Sequence, residues 1–195
     1  MFKTSFDLAY INIFLPDEHM ASSESLYFFP MSKLSDFQIP KEVLENPGTS
    51  SVWFYQDLLS VPFLVNNSYH ITNSVSCCRV LKHPDTDSIK YAYIIYLDAS
   101  EFSSILQEIF QDNQITSYIL TDNGKIVASN NPSLLSASLD EEKLDFLYNK
   151  GDSLKKRAHT NYHTTTLRNG WLQVTEIPDS YIMQNTHILI KSILL

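Results

Sequence analysis

Between Ile115 and Ser129 the chain runs through Tyr118-Ile119-Leu120-Thr121, then Asp122-Asn123-Gly124, then Lys125 to Ser129, and no other stretch narrows its fold so far. Two short strand-forming runs joined by Asp-Asn-Gly predict a hairpin, because these residues supply the positive backbone dihedrals of a tight antiparallel turn. Further on, Asp140 is placed to cap a short helix through Tyr148, with Gly151 just beyond its end. Ser153 to Leu167 is polar and Thr-rich and predicts one strand. Asn169-Gly170 then turns the chain into a last strand from Trp171 to Ile177, and Pro178-Asp179 starts a terminal helix.

The first half carries separate strand signals. Phe6 to Phe14 predicts a strand ended by Pro16-Asp17-Glu18, and Ala21-Ser22-Ser23-Glu24 predicts a hairpin-like connection into Leu26-Tyr27-Phe28-Phe29. Met31 to Pro47 reads mostly as loop, with room for one helix from Lys41 to Glu45. The aromatic cluster Trp53-Phe54-Tyr55 leads toward Pro62, and Asn66-Asn67-Ser68 marks a turn. Ile71 to Leu81 and Ile89 to Leu97 predict two antiparallel strands joined by His83 to Ser88. In the second, Ile89, Tyr91, Tyr93, Ile95 and Leu97 share one face, and Lys90, Ala92, Ile94, Tyr96 and Asp98 the other. Asp98 and Glu101 have capping-box spacing, and Phe102, Ile105, Leu106, Ile109 and Phe110 put one apolar stripe on the helix that follows. That helix is expected to lie on a sheet and to bridge two subdomains.

At 195 residues, 44% hydrophobic and 12% aromatic, the chain can bury one large core or two small ones. Its net charge of -8 argues against nucleic acid as a partner, since no basic surface is left to neutralise phosphates. The glycines Gly48, Gly124, Gly151 and Gly170 are too scattered to form a phosphate-cradling loop. Cys77 and Cys78 are adjacent on a strand, so they point to opposite faces, one expected buried and one partly exposed. No apolar run reaches the roughly 18–20 residues of a membrane span, and the N-terminus lacks a secretory pattern. Residues 188–195 are strongly apolar, which fits either a packed terminal helix or the edge of a membrane helix.

Six histidines and 22 acidic residues could supply a Ser-His-acid site, but none stands in a nucleophile-elbow, zinc-protease or P-loop context. No enzyme activity, cofactor or metal is expected. His159 and His163 would share a helix face, yet the neighbouring threonines favour a strand, where residues four apart are too distant to share an ion. Glu141, Glu142 and Asp145 favour the N-terminal end of a helix by charge. Lys155-Lys156-Arg157 reads as an exposed strand end, with lipid headgroups as the alternative. The aromatic residues are more suggestive: Trp53, Tyr55, Tyr69, Tyr91, Tyr93 and Tyr96 exceed what a two-faced strand pair needs for its core. Each one alone is accounted for by core packing. Together they are candidates to line a small-molecule pocket, with Arg79 on the neighbouring strand as a charged donor.

With these parts in order, the chain resembles the double Cache sensor domain, a PAS-like module found outside the membrane in bacterial sensor histidine kinases. The resemblance rests on Tyr93 to Phe102 as a strand-then-helix joint, on the hairpin from Tyr118 to Ser129, and on Gly170-Trp171-Leu172-Gln173-Val174-Thr175-Glu176-Ile177-Pro178. It implies an α+β fold of two modules, each a central antiparallel sheet flanked by helices. Residues 1–98 would be membrane-distal, 99–181 membrane-proximal, and 182–195 a helix leading toward a membrane span. It also implies a ligand-sensing domain at the extracellular face of the bacterial membrane, anchored there in the full-length protein and compatible with a homodimer. The output would be a histidine kinase. The same sensor can serve an AraC-type regulator or a chemoreceptor, and a protein-interaction module without a small ligand is the remaining alternative.

In amino-acid-binding members of that family, an Arg two positions before a Trp-Tyr pair grips the ligand carboxylate, and an Asp on the last distal strand takes its ammonium. Here Trp53-Phe54 resembles the aromatic pair, Ser51 stands at the Arg position and Tyr96 at the Asp position. The resemblance therefore implies a sugar-like, aromatic or peptide ligand, or none, rather than an amino acid. Candidate ligand-binding residues are Trp53, Tyr55, Arg79, Tyr93 and Tyr96. The family also has a long N-terminal helix, whereas this chain begins almost at its first strand, which suggests a shortened chain.

Overall fold

The computed structural model describes residues 8–16, 27–37, 39–45, 51–57, 73–86, 88–149 and 153–184. The chain divides between Glu101 and Phe102 into two units. In the first, β1 (Leu8–Leu15), β2 (Tyr27–Pro30), β3 (Val52–Asp57), β4 (Asn73–Lys82) and β5 (Ile89–Asp98) form one sheet in the order β2-β1-β5-β4-β3. In the second, β6 (Thr116–Leu120), β7 (Ile126–Ser129), β8 (Ser153–Arg157), β9 (Thr160–Thr166) and β10 (Leu172–Pro178) follow the order β7-β6-β10-β9-β8. Counted within its own unit, each sheet reads 2-1-5-4-3, so one strand order is used twice. The fold is α+β, with two PAS-like modules.

The pairings are antiparallel with one exception: β1 and β2 run parallel, with Ile13 opposite Phe28 and Phe14 opposite Phe29. This corrects the hairpin-like connection expected around residues 21–24, which lie outside the described residues. A parallel neighbour cannot be reached by a tight turn and requires a long connection, and residues 16–26 separate the two strands.

The first core lies on one face of its sheet. Phe14, Cys78, Val80, Ala92 and Ile94 pack there with Leu34, Phe37, Ile39 and Val43. Val43 belongs to α1 (Lys41–Glu45), the helix expected at those residues. Leu34 and Phe37 come from an additional 3-10 helix, Met31–Phe37, where loop was expected. Their spacing of three suits a helix of three residues per turn, which stacks both side chains on the sheet. Phe37 meets Phe14 and Phe29 edge-on at ring-centroid distances of 5.0 and 4.9 Å. Both cysteines are buried, which corrects the partly exposed thiol expected for one of them.

Helix α2 (Ala99–Ile109) begins where the sequence places it, with the Ser100 amide donating to Asp98 Oδ1 at 2.8 Å. Its buried line is Ala99, Ser103 and Leu106, whereas Ile109 is 64% exposed and Ile105 is also exposed. The apolar stripe is thus wider than the face that is covered.

In the second unit the two glycine turns close alike. Gly124 (φ +83) donates to the Thr121 carbonyl while the Thr121 amide donates to Lys125; Gly170 (φ +86) and Leu167 repeat the pattern with Leu167 and Trp171. Only the glycine of each turn takes a positive φ. The geometry is a type I turn followed by a left-handed residue rather than a two-residue turn of positive dihedrals. Tyr118, Leu120, Ile126, Leu147, Tyr162, Leu172 and Val174 form the core, roofed by α3 (Glu141–Tyr148), whose N-terminus is capped by Asp140 accepting from the Lys143 amide at 2.7 Å. Gly151 lies outside the described residues.

Ser153 to Leu167 holds two strands rather than the single one expected. The chain reverses at Ala158-His159 without glycine or asparagine, and Ala158 itself takes φ 52. A left-handed alanine costs about 1–2 kcal/mol, so Ala158→Gly is expected to stabilise the protein by about 1 kcal/mol after the extra chain entropy of glycine is offset. A higher urea midpoint at unchanged slope checks this; an unchanged or lower midpoint would mean that no strain sits there.

The basic run after Ser153 is occupied within its own unit. Lys155 donates to the Leu147 carbonyl, Lys156 pairs with Asp179 at 2.8 Å and Arg157 with Glu142 at 2.5 Å. Residues 179–184 are helical, and the Asp179 carboxylate also accepts from Asn161 at 2.7 Å while its amide donates to the His159 carbonyl. Hydrogen bonds from Lys156 and Asn161 hold the Asp179 carboxyl below its ordinary pKa. The start of this helical segment is thereby tied to the β8–β9 turn. Among the described residues no helix is long and apolar enough to cross a membrane, and the apolar stretch 188–195 lies outside them.

Candidate ligand-binding site

On β5 the pleat sends Ala92, Ile94 and Tyr96 into the core and Tyr91, Tyr93, Ile95 and Leu97 to the opposite face. Register carries this division across the sheet. Ile94 stands opposite Asn12 on β1 and Cys78 on β4; Tyr96 opposite Ser76; Ser76 opposite Phe54 on β3; and Ser74 opposite Gln56. Phe14, Val80, Ala92 and Ile94 make one end of the inner face apolar. The other end is crossed by a diagonal of uncharged polar side chains, Asn12, Tyr96, Ser76, Ser74 and Gln56, drawn from four strands.

All five are buried, Asn12 and Tyr96 at 0% exposure and Gln56 at 6%. Asn12 Nδ2 donates to the Tyr96 hydroxyl at 3.4 Å, the Ser74 and Ser76 hydroxyls are 2.9 Å apart, and Gln56 Nε2 donates to the Phe37 carbonyl at 3.1 Å. Among the described residues, however, Asn12 Oδ1 and Gln56 Oε1 have no hydrogen-bond partner. Leaving such a buried acceptor unpaired costs about 1–3 kcal/mol each, and a core built only for stability would place apolar residues there. Burial pushes the Tyr96 phenol well up and the Cys78 thiol up to about 12, so both stay neutral.

The structure splits the five residues singled out from sequence. Tyr96 lies on the inner face, whereas Trp53, Tyr55, Arg79 and Tyr93 lie on the outer one, where Trp53 stands opposite Cys77, Tyr55 opposite Val75 and Arg79 opposite Tyr93. Trp53 is 36% exposed, and Arg79 Nε is buried without a partner among the described residues. Burial raises the Cys77 thiol despite a hydrogen bond with Ser51 and the nearby Arg79 charge. Tyr91 shares this face; Tyr69 lies outside the described residues. Asn12, Gln56, Ser74 and Ser76 escaped the sequence reading. Their signal was a polar residue in the inward phase of each strand, readable only once the register is known.

Among solved structures, the ligand-binding domain of the amino-acid chemoreceptor PctC of Pseudomonas aeruginosa, in complex with GABA, aligns with a TM-score of 0.51 at 11% identity, over 83% of this chain and 66% of that one. The extracellular domain of a protein named as a histidine kinase aligns at 0.55 and 12% identity, over 90% and 73%. The periplasmic sensory domain of a Campylobacter jejuni chemoreceptor aligns at 0.57 and 9%, over 78% and 58%. This chain has the fold of Cache-type sensor domains. It spans only part of the length of each of these. No family model matches the sequence, and no curated protein does. In the first unit of this fold the polar diagonal lies on the inner sheet face, tied at Gln56 to the carbonyl of Phe37 at the end of the Met31–Phe37 helix.

Proposed function

We propose that the chain is the extracytoplasmic ligand-sensing domain of a transmembrane receptor at the bacterial cell surface, with a sensor histidine kinase as its output. The observation that carries this is the likeness of the two-module fold to chemoreceptor and histidine-kinase sensor domains, together with polar atoms inside the first sheet that are buried without a partner among the described residues. The chain does no chemistry of its own in this reading. Its ligand is a small molecule, as the GABA bound by one structural neighbour supports. Occupancy of the first unit shifts the population of two arrangements of the segment after Pro178, whose first turn is fixed by Asp179.

The test is a thermal-shift screen against sugars, organic acids, amino acids and short peptides. A saturable rise in Tm with one chemical class is expected. No rise with any class would remove ligand sensing and leave the protein-interaction module in its place. A second reading of the site has its own observation: Arg79 Nε, buried without a partner among the described residues on the face that carries Trp53, Tyr55 and Tyr93, would suit an anionic or aromatic ligand on the outer face. The chemoreceptor neighbours support a chemoreceptor output equally.

A further inference from the structure

We propose that the inner face of the first sheet takes a neutral polyhydroxylated ligand, a sugar or polyol; the inference rests on the sensor reading and names the ligand class of its site. Two observations converge. The first is the pair of buried acceptors, Asn12 Oδ1 and Gln56 Oε1, at the two ends of a diagonal whose middle is three hydroxyls, those of Tyr96, Ser76 and Ser74. Each hydroxyl of a polyol both donates and accepts, so it satisfies an amide oxygen and a serine or tyrosine hydroxyl alike. The second is the scarcity of countercharge. Inward positions from Val52 to Gln56, Ser74 to Val80 and Ala92 to Tyr96, with Asn12 and Phe14, carry no Lys, Arg, Asp or Glu.

The sequence extends this neutrality: between Asn46 and Cys78 the only Lys, Arg, Asp or Glu is Asp57. Asp98, opposite Ser74 at the end of β5, is the one carboxylate in the inward phase of β3, β4 and β5, and it accepts from the Ser100 amide at 2.8 Å. A carboxylate brought against this face would surrender its hydration to uncharged partners and to the like charge of Asp98, at a penalty a buried charge does not recover. A polyol loses far less. Phe54, beside Ser76, is partly buried and offers a ring for the apolar face of a sugar.

The experiment is calorimetric and thermal titration of the chain with xylitol and myo-inositol, with alanine as zwitterion and with succinate as dianion. Polyols stabilise any protein at high concentration by exclusion from its surface, and that effect rises linearly and ignores point changes in the interior. The expected result is a saturable heat and Tm rise at millimolar polyol that Asn12→Leu weakens at least about tenfold, the loss of one hydrogen bond to a buried group. Asn12→Leu removes an unpaired buried acceptor but also takes the Asn12 amide from the buried Tyr96 hydroxyl, so the two effects offset and the Tm of the free protein should change little; if it fails to fold, Ser76→Ala serves in the same titration. Saturable binding of alanine or succinate without polyol would overturn the neutral-ligand inference and leave the sensor reading standing. A polyol effect that is linear, or that survives Asn12→Leu and Ser76→Ala, would overturn it as well, as would no response to any probe.

Discussion

Phe37→Ala is expected to destabilise the first unit by about 3–5 kcal/mol, the range for deleting a fully buried phenylalanine. Its ring is fully buried, edge-on to both Phe14 and Phe29, and its carbonyl receives the Gln56 amide. The substitution therefore opens a cavity and loosens the segment that holds Gln56 of the polar diagonal, so ligand response should fall with stability. The chain reports each unit separately because it has two tryptophans, Trp53 in the first and Trp171 in the second. Urea unfolding in a Trp171→Phe background should show the Trp53 transition moved to much lower denaturant. In a Trp53→Phe background the Trp171 transition should hardly move. A loss under about 1 kcal/mol would mean that the core is not organised around this ring.

Glu176→Leu is expected to cost the second unit about 2 kcal/mol. Glu176 Oε1 accepts from the Tyr118 hydroxyl at 2.7 Å and from Lys143 Nζ at 2.9 Å. Burial and the adjacent carboxylate push the Tyr118 phenol well up, so it remains a donor throughout the accessible pH range. Without the carboxylate that nearly fully buried hydroxyl keeps its desolvation and loses its partner, which alone is worth about 1–3 kcal/mol. Lys143 is partly exposed and can turn to water, so its share is smaller. The Trp171 transition should shift and the Trp53 transition should not. Tyr118→Phe combined with Glu176→Leu should recover part of the loss, since the double change removes donor and acceptor together; no recovery would mean that the pair is not coupled.

Local chemistry was legible where a residue type forces a conformation. Lys41–Glu45, the Asp98 and Asp140 caps and the two glycine turns all stand where the sequence puts them. What depends on pairing was not legible. The β8–β9 turn was missed because Ala158 adopts a left-handed conformation that nothing in its identity announces. The parallel β1–β2 pair and the repeated strand order arise from contacts distant in sequence, and two strands of the same length and pattern can pair either way. The same limit governed the site. Tyr96 was visible as an aromatic residue, but Asn12, Gln56, Ser74 and Ser76 become a group only when four strands are brought into register.

The most direct test of a ligand-sensing first sheet is amide chemical-shift mapping of the intact chain, titrated with the compound that gives a saturable Tm rise. The account predicts that shifts concentrate on Asn12, Gln56, Ser74, Ser76, Tyr96 and the Phe37 backbone. Shifts confined to Trp53, Arg79 and Tyr93, or to the strands of the second unit, would contradict it.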